Sequence, residues 1–113
     1  MNSKESLARK KLEDMFGVPL PKRKLIIGYD SEGFPKLHEF DLVSKGSRIV
    51  GEVKSGKHIA TTFKGALNDC FFMSKVNAKR KIMVLTDKTF YTYFKSKADG
   101  VISDDIEVIF MQV

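Results

Sequence analysis

The chain has 113 residues, 42% of them hydrophobic, which suits a single folded domain spanning 1–113 and excludes a disordered chain. Twenty Lys and Arg against 14 Asp and Glu leave a formal charge of +6, enough to favour a polyanionic partner if the excess is concentrated. One cysteine, Cys70, excludes an intrachain disulfide and a thiolate zinc site. The absence of a signal-peptide core or any long apolar run points to a soluble, cytoplasmic protein with no membrane partner.

In chain order, residues 4–16 read as a helix with Ala8, Leu12, Met15 and Phe16 on one stripe, capped by Asn2 or Ser3 and ended by Gly17, Pro19 and Pro21. Residues 24–29 form a short strand closed by the turn at 30–33. A second strand is predicted over 37–43, a hairpin turn over 44–47 and a third strand, antiparallel to the second, over 48–54. Residues 60–76 read as a helix with Phe63, Ala66, Leu67, Cys70, Phe71 and Ser74 on its inner face, and with Phe72 outside it, beside Phe71, as expected of a dimer surface. The apolar run 82–86 is a strand buried on both faces, 88–98 a third helix, and 107–111 a last buried strand. The order αβββαβαβ predicts an α/β fold: a mixed central sheet made of an antiparallel three-stranded meander and parallel crossovers, with helices on both faces.

The second and third strands hold an unusual polar set. Glu39 and Asp41 share one face of the first, Glu52 and Lys54 one face of the other, and the short hairpin allows Asp41 to reach Glu52. Charges inside a sheet cost several kcal/mol unless paired or metal-bound. An ion pair of Lys54 with Asp41 or Glu52 on a solvated face is one way to meet that cost; a catalytic site is the other.

Asp41, ten intervening residues, then Glu52-Val53-Lys54 resembles the PD-(D/E)xK nuclease superfamily, whose helix, three-stranded meander, helix and strand follow the same order. Phe40 stands where the eponymous proline would be, and many members of the superfamily lack that proline. The resemblance implies a restriction-endonuclease-like fold and a metal-dependent hydrolysis of DNA phosphodiester bonds. It implies that Asp41, Glu52 and the Val53 carbonyl hold Mg²⁺ or Mn²⁺, and that Lys54 orients water or stabilises charge. The family often places a Glu on the first helix and a Lys or Gln on the second, which nominates Glu5 and Lys64. The alternatives are a first-turn Glu complementing the helix dipole and a surface lysine. Glu39 is either a supporting partner of Asp41 or an edge charge, and Glu13 reads as solvated.

Residues 75–97 carry seven bases against Asp87 alone, while residues 98–113 carry four acids and no base. Lys79, Arg80 and Lys81 are therefore candidates for phosphate contacts, against the plainer alternative of a solvated helix end. Tyr91 and Tyr93 could stack on bases. His38 and His58 have no partner spacing and stay unassigned, and two histidines argue against a His-rich metal cluster. So small a domain is expected to act as a homodimer or beside a larger partner. A non-catalytic nucleic-acid-binding or protein-interaction module retaining the fold is the competing function.

Overall fold

The computed structural model describes residues 3–113; the cap expected of Asn2 lies outside them, as does the Ser3 side chain. The elements are α1 (Ser3–Phe16), β1 (Arg23–Tyr29), β2 (Pro35–Phe40), β3 (Leu42–Val43), β4 (Ile49–Lys54), α2 (Ile59–Met73), β5 (Arg80–Leu85), α3 (Lys88–Lys97) and β6 (Ile106–Phe110). The main sheet has the order β3-β4-β5-β6, with β3 antiparallel to β4 and the remaining pairs parallel, so it is a mixed sheet as predicted. β1 and β2 form a separate antiparallel hairpin.

Two apolar layers hold the sheet. On one face Val50, Met83 and Leu85 pack with Ala66, Cys70 and Met73 of α2 and with Phe90 and Phe94 of α3. On the other, Val53, Ile82 and Val84 pack with Ala8 and Leu12 of α1. Strand alternation explains the division: Val50, Glu52 and Lys54 point towards α2, Gly51 and Val53 towards α1. Gly51 is required by close approach, because a Cβ there would stand 2.9 Å from the Ile82 carbonyl oxygen.

Several expectations are corrected. The strand expected over 37–43 is broken at Asp41: its first part pairs with β1 and only Leu42 and Val43 join the main sheet. The hairpin turn expected over 44–47 is present between the antiparallel β3 and β4, built as a single 3-10 turn with Gly46 and Ser47 at positive φ. Met15 is 67% exposed rather than on the stripe of α1. Glu13, expected to be solvated, accepts a hydrogen bond from the Leu20 N–H (2.7 Å) and fastens the chain that follows Gly17. In α2 the two phenylalanines exchange roles: Phe71 is exposed, while Phe72 packs on the His38 ring with centroids 4.4 Å apart. Among the described residues, no helix is long and apolar enough to cross a membrane.

Candidate active site

The break at Asp41 organises the site. Its peptide groups leave the strand ladder and are met by side chains instead: the Asp41 N–H donates to Glu52 Oε1 (3.0 Å), and Arg9 of α1 donates to the Asp41 carbonyl (2.9 Å). In return, the Asp41 carboxylate accepts the Val53 N–H (2.8 Å). Asp41 and Glu52 are thus locked together by reciprocal bonds to each other's strand. Thr86 N–H donates to the Lys54 carbonyl, which therefore faces β5. Peptide groups alternate along a strand, so the Val53 carbonyl faces the opposite edge, the one Asp41 occupies.

Glu52 is buried. Burial, then the neighbouring Asp69 and Asp41 carboxylates, push its acid up to about 9. Asp41 is raised too, chiefly by burial, against the opposing Val53 N–H. Glu5 lies on the α1 side, bonded to Arg9 (3.0 Å) and Lys22 (3.2 Å), with Lys22 4.0 Å from Asp41 Oδ1. The Glu5 hydrogen bond holds the Lys22 ammonium above its usual value.

Lys54 does not pair with Asp41 or Glu52. Its ammonium lies 3.0 Å from Asp69 Oδ2, a buried carboxylate on the inner face of α2. Gly65 makes room for it, since a Cβ at that position would stand 3.2 Å from Lys54 Nζ. Lys64 beside it is exposed. Glu39 is also exposed and lies opposite Lys24 in the hairpin.

Sequence reasoning gave no role to Asp69, His38 or Arg9. Asp69 stands in the stripe Ala66, Asp69, Cys70, Met73, where a charge at helical spacing on an apolar face is a legible signal. His38, Glu52 and Asp69 form a group that can hold a metal ion. Burial, followed by the Asp69 and Glu52 charges, pushes the adjacent Cys70 thiol up to about 12, so Cys70 is an inert core group.

The basic cluster is divided. Lys81 is buried and paired with Asp105 (3.1 Å), which removes it from any phosphate-facing surface. Arg80 is bonded to Glu107 (2.8 and 3.0 Å) and lies over the Phe16 ring. Lys79 is exposed and, with Arg23, Lys45 and Arg48, rims a cavity of about 930 Å³ floored by Phe16 and Val18. Tyr91 and Tyr93 are half-buried against the core, Tyr93 on Phe63 and Tyr91 on Phe110. Comparison with protein-family models, curated proteins and solved structures gave no match to this chain.

Proposed function

We propose that this protein is a metal-dependent nuclease that hydrolyses phosphodiester bonds in DNA on a restriction-endonuclease-like scaffold. The observation that carries the reading is the locked Asp41–Glu52 pair, with the Val53 carbonyl on the same edge and Lys54 two residues on. Two crowded carboxylates and a peptide oxygen are hard donors, suited to Mg²⁺ or Mn²⁺. The raised acids of Asp41 and Glu52 fit that donor set, because nearby positive charge would relieve them.

Asp41, Glu52 and the Val53 carbonyl would hold the ion, which when bound polarises the scissile phosphate and helps ionise water. Lys54 supplies a charged, compact donor that orients the attacking water and stabilises charge on the phosphorane. To do so it exchanges its bond to Asp69 for one to substrate. Arg9, bonded to Glu5 and the Asp41 carbonyl, fixes α1 against the site. Lys79, Lys45, Arg48 and Arg23 contact the DNA backbone, which positions the duplex without reading bases. A homodimer, or a larger partner, supplies the remaining grip.

Two observations favour a second reading, a non-catalytic DNA-binding or interaction module. The reciprocal Asp41–Glu52 bonds stitch the broken strand, and Lys54 is engaged by Asp69. The test is a titration of Mg²⁺ and Mn²⁺ against linear, branched and single-stranded DNA, with Asp41→Ala as control. Metal-dependent product from the wild type alone supports the nuclease. DNA binding without product at any metal concentration supports the module.

A further inference from the structure

On the α2 side of Glu52 lies a second set of ligand-type atoms. A ring nitrogen of His38, a Glu52 oxygen and an Asp69 oxygen lie within 4.8 Å of one another, and His38 Nε2 stands 3.8 Å from Glu52 Oε1. Atoms bound to one divalent ion at about 2.0–2.2 Å stand roughly 3–4 Å apart, so small side-chain rotations close the set. The donors come from β2, β4 and α2, three elements already held in place by packing. The imidazole is clamped between Phe40 (4.6 Å between centroids) and Phe72 (4.4 Å).

His38 Nε2 is buried and has no hydrogen-bond partner among the described residues. A buried polar atom left without a partner costs about 1–3 kcal/mol and asks for an explanation. Asp69 Oδ2 also lacks an aligned hydrogen bond, although the Lys54 ammonium neutralises it from 3.0 Å.

We propose that His38, Glu52 and Asp69 form an imidazole-bearing site for a first-row transition cation, of the Co²⁺ and Zn²⁺ class, distinct from the oxygen site of Asp41, Glu52 and Val53. A nitrogen donor with two carboxylates suits those ions. Mg²⁺ demands near-octahedral oxygen ligation and sheds water reluctantly, so it competes poorly here. The inference does not rest on nuclease activity: His38 and Asp69 lie outside that motif, and only Glu52 is common to both sites. The Asp41 carboxylate, bonded to the Val53 N–H, belongs to the other site.

The experiment titrates the full chain, stripped with EDTA, with Co²⁺, reading visible absorption and the NMR signals of the His38 ring. Wild type and Asp41→Ala should both bind Co²⁺ and show paramagnetically shifted His38 ring protons. His38→Gln and Asp69→Asn should weaken binding more than about tenfold, with circular dichroism establishing that each remains folded. An unshifted His38 ring in Co²⁺-bound wild type overturns the proposal without recourse to any variant. Equal affinity in folded His38→Gln overturns it too. Loss of Co²⁺ in Asp41→Ala alone would do the same, assigning binding to the oxygen site and leaving the nuclease reading intact. Co²⁺ held through His38 in a protein that cleaves no DNA would support this site while the nuclease reading fails.

Discussion

Arg80 and Lys81, at the start of β5, each have a carboxylate from the C-terminal segment within 3.1 Å, whereas Glu52 and Asp41 are crowded by other acids. At the first place the pairing is mutual. The Glu107 acid is lowered, chiefly by its bond from Arg80, and the Asp105 acid is lowered by Ser103 and then Lys81. At the second, both acids are raised, and the nearest ammonium groups are bonded to Glu5 and Asp69, with Lys22 reaching Asp41 only at 4.0 Å. A charge cluster that serves stability alone resembles the first. One that holds like charges together in a buried setting is the pattern of a functional site.

The largest effects should fall on chemistry at the crowded end. Asp41→Ala should leave no metal-dependent cleavage above background in a single-turnover DNA assay. Lys54→Ala should keep Mn²⁺ affinity by calorimetry but slow cleavage by about 10²–10³-fold. An unchanged rate would remove Lys54 from the mechanism.

Stability should respond with opposite signs at the two places. Without metal, Glu52→Gln keeps the acceptor for the Asp41 N–H and removes a raised acid, so it should stabilise the protein at pH 8 by ~1–3 kcal/mol in urea unfolding. The sign follows from linkage. The folded acid is raised from 4.5 to about 9, so its contribution is whole below about pH 4.5 and is lost as pH rises through about 9. The gain from Glu52→Gln should therefore shrink towards pH 5. Asp105→Asn, which leaves the buried Lys81 ammonium without its partner, should instead destabilise by about 1–2 kcal/mol, between the values for exposed and buried pairs. A stabilising Asp105→Asn would erase the contrast.

The smallest effects concern the surface. Replacing Lys45, Arg48 and Lys79 with Ala should flatten the dependence of log affinity for DNA on log salt, by about 0.9 for each phosphate the variant no longer neutralises. Glu107→Ala breaks an exposed pair and should change stability by less than about 1 kcal/mol. A salt slope identical to wild type in the triple variant would exclude the cavity rim from the DNA interface.

Much of this is readable from the residues. Alternation places Glu52 and Lys54 on one face of a strand, and helical spacing identifies Ala8, Leu12, Ala66 and Cys70 as core. The break at Asp41 is not readable, because Phe40, Leu42 and Val43 flank it with the apolar pattern of a continuous strand. What breaks it is tertiary: a Glu52 side chain and an Arg9 guanidinium take the ladder's bonds. Pairing of the C-terminal acids with Arg80 and Lys81 depends on the parallel register of β5 with β6, which no local pattern encodes. Asp69 is different, since a carboxylate in an apolar helical stripe is a local signal that needs no tertiary knowledge. The α2 register also explains Phe71 and Phe72: the helix stops at Met73, and its buried line runs through 66, 69, 70 and 73.

The claim that the acid cluster is built for a cation is tested most directly by melting wild type and Glu52→Gln at pH 8, each in EDTA and in saturating Mn²⁺. A ligand that binds only the folded state at a thousandfold its Kd stabilises by about 4.1 kcal/mol, more than the gain expected of Glu52→Gln. The order should therefore invert: Glu52→Gln melts above wild type in EDTA and below it in Mn²⁺. A wild type whose melting temperature Mn²⁺ leaves unchanged, or a Glu52→Gln that melts lower in both conditions, would contradict the account.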